Sequence, residues 1–259
     1  MHMNGLRCFL ALAIVTAAAC SGQKEAAPSA PPVNAKRVDQ SKAGNAAGRV
    51  TIEGTVPANP PIKLDGDPYC SQQNPKGANL ESFVVDNGGL DNVFVYVKDG
   101  LGDYGFDVPS EPVKLDQQGC RYRPHVLGIR VGQKLVITND DDTLHNVHAM
   151  GTANGEWNHG QAFKNLRDEK VFTKREVMLP FKCDVHNWMQ AYVGVLDHPY
   201  FAVTHDGGHF ELKNLPAGTY TVEAWHEKLG TQAQTVTLGE KESKELTFTF
   251  KAGAAASSN

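Results

Sequence analysis

FKCDVHNWM, residues 181–189, places a cysteine, a histidine and a methionine at the spacing Cys-x2-His-x2-Met. A thiolate, an imidazole and a thioether are ligands for soft and borderline metal ions. Apolar, β-branched and aromatic residues precede Cys183 and follow Met189, which favours two β-strands joined by a tight loop. The stretch therefore predicts a metal-binding loop in which Cys183, His186 and Met189 are the ligands.

A further ligand is expected upstream, in the sequence NDDDTLHNVH of residues 139–148. His145 lies at the start of an apolar, strand-like run and is the predicted fourth donor. One cysteine, two histidines and a weak axial methionine form the donor set of a mononuclear blue-copper site. The predicted cofactor is therefore one copper ion that changes between Cu(I) and Cu(II).

Zinc is the alternative metal for this region. A tetrahedral zinc site would use Cys183, His186, His145 and His148. On a strand, His148 lies three residues after His145 and so faces the opposite side, which favours copper over zinc. The acidic run of residues 140–142 lacks the spaced glycine and the terminal glutamate of an EF-hand calcium loop. It is predicted to form a solvated turn.

The two motifs resemble those of the cupredoxins, and in particular the amicyanin type within the plastocyanin group. CDVHNWM, residues 183–189, is similar to the short ligand loop of that type, and LHNVH, residues 144–148, is similar to its upstream ligand strand. The resemblance spans residues 92–197 and implies a Greek-key β-sandwich with a type 1 copper site. The equatorial ligands that it implies are His145, Cys183 and His186, and the axial ligand is Met189.

The resemblance also implies contacts around the ligands. Asn146 is expected to hydrogen-bond across to the ligand loop near the cysteine. Apart from the resemblance, we expect Trp188 to contribute to core packing and to an apolar rim around an exposed edge of His186, where a partner would dock. Two positions, Leu144 and Asn187, depart from the family pattern, in which proline is usual. Neither departure removes a ligand.

The rest of the chain has the pattern of an all-β protein. Short runs of β-branched and aromatic residues alternate with Gly, Pro, Asn and Asp, which is typical of β-sandwiches. Residues 93–97 are predicted to form a central strand. Residues 126–131 and 134–139 are predicted to pair like a hairpin.

A second domain is expected at the C-terminal end. Residues 206–225 are similar to the transthyretin-like, carboxypeptidase regulatory-like β-sandwich. We therefore expect a cupredoxin-like copper domain at residues 49–198, followed by a smaller β-sandwich at residues 199–251.

The N-terminal residues have the pattern of an export signal. A short apolar run and small residues predict a signal peptide at residues 1–19. Cys20 follows the small residues directly, which resembles the lipobox of bacterial lipoproteins, so Cys20 is predicted to be acylated; plain secretion is the alternative. Residues 20–48 are predicted to be a flexible tether, and residues 252–259 a disordered tail. These features predict a periplasmic protein or a lipoprotein of the outer membrane, with only the lipid anchor in the membrane.

The cysteines predict one disulfide. Apart from Cys8 in the signal peptide and Cys20, the chain contains Cys70, Cys120 and Cys183. An exported protein can keep a disulfide, and three is an odd number. Pairing Cys70 with Cys120 leaves Cys183 as a thiolate ligand. A free, buried Cys183 or a different pairing is the alternative.

Charge and ligand set limit the function classes. The formal net charge of −4 gives no support for nucleic-acid binding, which needs a basic face. A saturated ligand set leaves no position for a substrate, so no catalytic residues and no enzymatic activity are predicted. The predicted function is single-electron transfer in the bacterial cell envelope, with a redox protein such as a cytochrome or a dehydrogenase as partner. The alternatives are a copper-binding module for delivery and a non-redox scaffold lipoprotein.

Overall fold

A computed structural model describes residues 35–253 of the chain. Eighteen β-strands and one short helix make up the regular structure of this range, so the predicted all-β class is confirmed. In chain order the elements are β1 (Gly44–Glu53), α1 (Pro68–Gln73), β2 (Val85–Asp86), β3 (Gly89–Leu90), β4 (Phe94–Asp99), β5 (Val113–Gln117), β6 (Tyr122–Arg123), β7 (Val126–Arg130), β8 (Lys134–Asn139), β9 (His145–Met150), β10 (Glu156–Gln161), β11 (Arg167–Val171), β12 (Glu176–Lys182), β13 (Gln190–Leu196), β14 (Phe201–Val203), β15 (His209–Leu215), β16 (Gly218–His226), β17 (Gly230–Leu238) and β18 (Ser243–Lys251).

Several predicted features lie outside the described residues. They are the signal peptide of residues 1–19, the acylation site Cys20, the tether up to residue 34 and the tail from residue 254. Within the described range, no helix is both long enough and apolar enough to span a bilayer.

Two sheets form the first sandwich. Their strand orders are β10-β9-β12-β13-β7 and β11-β8-β5-β6. Side chains that alternate along these strands point into a shared apolar core, to which Phe181 contributes from one sheet and Ile137 from the other. β9 begins at His145, β12 ends one residue before Cys183, and β13 begins one residue after Met189. The first sandwich therefore carries all the predicted ligands near strand ends.

Two further sheets form the second sandwich. One has the order β14-β4-β16-β17, and the other has the order β15-β1-β3-β2 with β18 also paired to β1. β1 runs antiparallel to β15 and parallel to β18. Tyr220 and Phe248 are among the large, fully buried side chains of its core.

A third apolar layer joins the two sandwiches. Phe94 and Tyr96 of β4 pack with Leu196 and its neighbours in the first sandwich, whereas Val95 and Val97 point into the core of the second. Because both faces of β4 are buried, its sequence is a continuous apolar run, as predicted for a central strand. The four sheets therefore stack in layers, with apolar side chains between each neighbouring pair.

A pair of glycines permits this close packing. Gly128 of β7 and Gly194 of β13 are partners in neighbouring strands. A Cβ atom at Gly194 would lie 2.3 Å from the ring of Phe94, and one at Gly128 would lie 2.4 Å from the ring of Phe201. The two rings stack with their centroids 5.7 Å apart. The aromatic rings thus occupy the volume that side chains would fill on this sheet.

The division between the sandwiches does not follow the predicted boundary between residues 198 and 199. β1 and β4 precede that boundary but pair with β15, β18, β14 and β16, which follow it. They are needed to complete the second sandwich, because β1 joins β15 to β18 in one sheet and β4 joins β14 to β16 in the other. The first sandwich is formed by strands between residues 113 and 196. β1 also begins at Gly44, inside the predicted tether, and Lys36 forms a bridge to Tyr104.

The predicted hairpin of residues 126–139 is wrong. β7 pairs in parallel with β13, whereas β8 pairs with β5 and β11 in the opposite sheet. Gly132, with a φ of 82°, lies in the turn that carries the chain from one sheet to the other. Both strands face the same core, so the strand-turn-strand pattern fits a crossover between sheets as well as a hairpin.

We expect Gly194→Ala to destabilise the protein, because the new methyl group must displace the ring of Phe94 between the sandwiches. The free energy of unfolding, measured by urea denaturation, should fall by about 1–3 kcal/mol. Gly160→Ala in β10 is the matched control, since no atom lies within 4 Å of its added Cβ. Equal stability of the two variants would contradict the close packing described here.

His226 makes the stability of the second sandwich depend on pH. Burial lowers the pKa of its imidazole from 6.5 to about 4, so between these values the unfolded chain binds more protons than the folded one. This contribution to stability is complete above pH 6.5 and is lost as the pH falls toward 4. We expect His226→Phe to reduce the fall in unfolding free energy between pH 7 and pH 5 by about 2 kcal/mol.

Urea unfolding at the two pH values measures this difference. His205→Asn is the control, because it removes a histidine whose side chain is 72% exposed and leaves the buried ring of His226 in place. A fall in stability at pH 5 that is identical in the wild type and His226→Phe would refute the assignment.

Candidate metal centre

The predicted ligand loop is a tight turn between β12 and β13. The N–H of Met189 donates to the carbonyl of His186 at 2.9 Å, and the N–H of Cys183 donates to the carbonyl of Met189 at 3.1 Å. These two bonds close the loop on itself directly after the last paired residues of the strands. The side chains of Cys183 and Met189 both point into the core of the first sandwich.

Three predicted donors converge at the start of β9. His145 Nδ1 lies 2.9 Å from His186 Nδ1, and Cys183 Sγ lies 4.0 Å from His186 Nδ1. The candidate ligand atoms of these three residues all lie within 4.8 Å of one another, and all three residues are buried. The structure therefore brings together the two histidines and the cysteine that the sequence singles out, with Met189 buried in the same apolar cluster as the cysteine.

Hydrogen bonds favour the thiolate form of Cys183. Its sulfur accepts the backbone N–H of His186 at 3.4 Å and that of Asn146 at 3.5 Å. Burial raises the pKa of the Cys183 thiol, but hydrogen bonds from the His145 and His186 rings, when a proton lies on the Nδ1 side, and from the backbone outweigh burial and lower the pKa to about 6. A metal cation in the place of that proton likewise favours the thiolate, which is the form that binds metal ions.

Asn146 links the ligand strand to the ligand loop, as the resemblance implied. Its side-chain carbonyl accepts the backbone N–H of Asp184 at 2.6 Å and lies 3.3 Å from Cys183 Sγ. Its amide donates to the Asp184 carboxylate at 3.1 Å. Asn146 thereby holds the backbone of the ligand loop next to Cys183 in place.

A carboxylate holds the far nitrogen of each imidazole. His145 Nε2 lies 3.0 Å from Asp141 Oδ2, and His186 Nε2 lies 3.0 Å from Asp67 Oδ2. Because a carboxylate only accepts hydrogen bonds, each Nε2 carries a proton and each Nδ1 presents a lone pair. Carboxylates orient metal-binding histidines in this way. The two facing Nδ1 lone pairs repel each other unless a proton or a metal cation lies between them, so this donor set fits a bound metal ion.

The two carboxylates are themselves held by backbone groups. Asp67 caps the N-terminus of α1 by accepting the N–H of Cys70 at 3.0 Å, a common role for aspartate before a helix. Asp141 accepts the N–H groups of Gly119 at 2.8 Å and Cys120 at 2.7 Å. Burial raises the pKa of each carboxyl group, but the hydrogen bonds lower it by more, so both stay ionised.

The structure contains the predicted disulfide between Cys70 and Cys120, with Cα atoms 5.6 Å apart. The bond joins the helix that begins after Asp67 to the turn whose N–H groups bind Asp141. Cys183 is the free cysteine among the described residues. The disulfide thus ties together the two segments that orient the imidazoles.

The prediction that one edge of His186 is exposed is wrong. Only 3% of His186 is exposed, because Asp67 and Cys70 lie against its Nε2 atom. Trp188 also covers the ring, with centroids 5.0 Å apart, and its indole N–H donates to the carbonyl of Cys120 at 3.0 Å. The disulfide-linked helix therefore forms a cap over the edge that was expected to face a partner.

The prediction that residues 140–142 form a solvated turn is wrong for the middle residue, Asp141. Asp141 is buried and bonded to His145, whereas Asp142 is exposed. Sequence reasoning also missed Asp67. Its signal is the Asp-Pro pair that starts a helix, since aspartate is typical of the N-cap and proline of the first helical position.

His148 faces away from the cluster, as its position on the strand predicts. Its ring nitrogens bind Asp184, at 2.9 Å, and Glu156. It belongs to no group of potential metal ligands found among the described residues. The structure thus does not assemble the zinc ligand set that included His148.

No family model and no curated protein matches the chain. Among solved structures, it is similar to a purple cupredoxin from Nitrosopumilus maritimus, at 23% identity over 32% of this chain and 98% of that one, with a TM-score of 0.28. A Cu(I) amicyanin mutant is similar at 19% identity over 40% of this chain and 99% of that one, with a TM-score of 0.30.

A copper-containing nitrite reductase from Thermus scotoductus is similar at 16% identity, over 47% of this chain and 28% of that one, with a TM-score of 0.32. All three similarities cover less than half of this chain at low TM-scores.

We expect Asp141→Asn to weaken metal binding by about 10–100-fold, because His145 loses the carboxylate that orients it. Competition between the purified protein and a chelator for Co(II) measures the affinity. Asp142→Asn removes the same charge from the neighbouring, exposed residue and should leave the affinity unchanged. Equal affinities of the two variants would show that Asp141 does not position the ligand.

Proposed function

We propose that the protein is a mononuclear copper protein that carries single electrons in the cell envelope. One observation carries this proposal, namely the convergence of His145 Nδ1, His186 Nδ1 and the Cys183 sulfur in a buried cluster. Two imidazoles and one thiolate, with a methionine nearby, are the donors of electron-transfer copper sites. In this site, Met189 would supply the weak axial sulfur.

The chain supplies a preformed set of donors. Bound copper would cycle between Cu(I) and Cu(II), which is the one-electron chemistry of the proposed function. The protein's own residues hold the donors in place: carboxylates orient both rings, Asn146 ties the ligand strand to the loop, and strands β9, β12 and β13 fix the backbone. A ligand set fixed in this way changes little between oxidation states, which favours fast electron transfer.

The burial of the site argues for a carrier and against an enzyme. His145, Cys183 and His186 are almost fully covered by protein, and the proposed four donors saturate the coordination that such copper sites use. A substrate would need an open coordination position. We therefore assign the protein no catalytic residues.

Exposed apolar side chains around the ligands support docking of a redox partner. Leu144, which precedes His145, is 44% exposed, and Val185, which lies within the ligand loop, is 49% exposed. Phe163 is 59% exposed and lies two residues after Gln161, the partner of His145 in β10. We propose that these side chains contact a redox protein such as a cytochrome or a dehydrogenase.

The proposed location follows from the sequence. Export and acylation of Cys20 would place the protein in the periplasm or on the outer membrane, where its partners would be envelope proteins. Both steps remain predictions, because the residues concerned lie outside the described range. N-terminal sequencing and mass measurement of the protein from an expressing bacterium would test them.

We expect addition of Cu(II) to give an intense visible absorption band, because the Cys183 thiolate transfers charge to the metal, and we expect ascorbate to bleach it. Cys183→Ser and His145→Asn should abolish or strongly weaken the band. His148→Asn is the matched control, since His148 lies on the same strand but binds Asp184 and Glu156. It should keep the band.

Other outcomes would exclude the proposal. A colourless protein that retains stoichiometric zinc, with loss of zinc in His148→Asn, would indicate the zinc site instead. A coloured protein that passes its copper to an acceptor faster than it exchanges electrons would indicate copper delivery. Binding of no metal would leave a scaffold protein.

A further inference from the structure

The turn between β16 and β17 of the second sandwich reaches the ligand loop of the first through one histidine. Glu227 lies in this turn, and its Oε1 atom is 2.6 Å from His125 Nε2. His125 lies directly before β7, and its Nδ1 atom is 3.0 Å from the carbonyl oxygen of Gln190. Gln190 is the residue after Met189. A carboxylate of one sandwich is therefore joined through a single imidazole ring to the backbone beside the proposed axial ligand.

The two contacts suit a His125 ring with a proton on each nitrogen. A carboxylate and a carbonyl oxygen only accept hydrogen bonds, so Nε2–H donates to Glu227 and Nδ1–H donates to Gln190 in that form. The Glu227 carboxylate balances the charge of such a ring. Both side chains are largely buried, with 12% of His125 and 4% of Glu227 exposed. Removal of either partner therefore leaves the other one without compensation in a place that water hardly reaches.

Glu227 is itself firmly held. Its Oε2 atom is 3.0 Å from Lys228 Nζ and accepts the hydroxyl of Tyr192 at 3.3 Å. Burial raises the pKa of the Glu227 carboxyl, but the hydrogen bonds from His125 and Lys228 outweigh burial and lower the pKa to about 2. Leu229, in the same turn, is buried in the core of the second sandwich. The carboxylate is thus an ionised group at a fixed position on the second sandwich.

Two successive carbonyl groups hold the end of the ligand loop. The carbonyl of Met189 accepts the N–H of Cys183 at 3.1 Å, and the carbonyl of Gln190 faces His125. Cys183 follows β12 and His125 precedes β7, and these two strands flank β13 on opposite sides. The peptide units after Met189 are therefore held from both sides. They carry the backbone from which the side chain of Met189 extends into the core of the first sandwich.

We propose that the second sandwich positions the ligand loop through Glu227 and His125, and that this contact keeps Met189 in place beside the other donors. Glu227 and His125 are positioning residues, and neither belongs to a group of potential metal ligands found among the described residues. The statement about the metal donors rests on the proposed copper function, whereas the statement about the order of the loop does not. The second sandwich thereby acquires a role at a site that lies entirely in the first.

Glu223 provides a matched comparison. It is a buried glutamate of β16, and it binds a tyrosine hydroxyl and a lysine amino group. Glu227 has the same two kinds of partner besides His125. In the part of the chain that the structure describes, the side chain of Glu223 forms no hydrogen bond with a histidine or with the ligand loop. Replacement of either glutamate by leucine removes a similar set of contacts, but only one of the two changes affects His125.

Amide hydrogen exchange of the full chain, freed of metal by a chelator, tests the proposal. Residue-resolved NMR measures the exchange of the N–H groups of Cys183 and Met189, which close the loop. Glu227→Leu and His125→Leu should each speed this exchange by about tenfold or more, as expected when a hydrogen bond to a charged group is lost. Glu223→Leu should leave it unchanged. Amides of β8, in the opposite sheet, should keep their wild-type exchange in all variants, which separates opening of the loop from unfolding of the sandwich.

The double variant Glu227→Leu/His125→Leu shows whether Glu227 acts through His125. Its Cys183 and Met189 amides should exchange no faster than those of His125→Leu, because the second change removes a partner of a ring that is already absent. Copper-loaded samples give a second readout. Glu227→Leu and His125→Leu should shift the thiolate–copper absorption band, and Glu223→Leu should keep the wild-type band.

Two outcomes would overturn the proposal. One is loop exchange in Glu227→Leu and His125→Leu that equals that of Glu223→Leu, and the other is a double variant in which the two effects add. Should Glu227→Leu fail to fold, wild-type loop exchange in His125→Leu would by itself refute the contact. Failure of the wild type to bind copper would refute the proposed function and leave the exchange comparison intact. A normal copper band in every variant, together with unchanged exchange, would refute the present inference alone.

Discussion

The hydrogen bonds between two carboxylates and two imidazoles organise the candidate centre. Asp141 and Asp67 accept the Nε2–H groups of His145 and His186, so both Nδ1 atoms turn toward the sulfur of Cys183. Without these bonds the buried rings could rotate and present a proton where a lone pair is needed. Backbone N–H groups hold both carboxylates, and the disulfide holds the segments that supply those N–H groups. The orientation of the two Nδ1 lone pairs thus depends on the Cys70–Cys120 disulfide, although neither of these cysteines is a ligand of the proposed copper site.

The stacked sheets give this arrangement a stiff support. The ligand strands β9, β12 and β13 share one sheet, which is packed against a second sheet on one face and against β4 and β14 on the other. Gly128 and Gly194 let the rings of Phe94 and Phe201 approach the backbone of that sheet. Protein interiors packed at this density resist deformation. The candidate centre, at the end of a sheet that is buried on both faces, therefore has a rigid support.

The sequence predicts the ligand residues that lie close together in the chain, but it does not predict the carboxylates that reach the ligands from distant segments. The ligand loop is readable because Cys183, His186 and Met189 lie within seven residues, and its spacing and flanking strands carry the prediction. His145 is found through its strand-like context and its resemblance to a known motif. Asp67 is different, because it lies 119 residues from His186 and its only local signal is a helix cap. Asp141 sits in an acidic run that looks solvated, and only the fold shows that its middle member turns inward.

The same limit explains the errors in the fold. A run such as residues 126–139 shows two strands and a turn, but which sheet each strand joins depends on partners elsewhere in the chain. The division of the chain at residue 198 follows the change in sequence pattern. It overlooks β1 and β4, whose apolar faces match the second core equally well. Hydrophobic periodicity identifies strands, whereas their pairing is decided by the complete set of sheets.

The first sandwich is inserted between β4 and β14, which pair with each other in the second. About one hundred residues therefore separate two neighbouring strands, and a flexible chain of that length opposes their pairing through its entropy. Folding of the inserted sandwich brings its two ends together and removes most of that opposition. It acts on the second sandwich as an internal cross-link, made of packed side chains instead of a covalent bond. The two units are thereby coupled in folding: the strands of the inserted one assemble from contiguous chain, α1 joins them from before β4, and the enclosing unit depends on the inserted one for the closure of its own sheet.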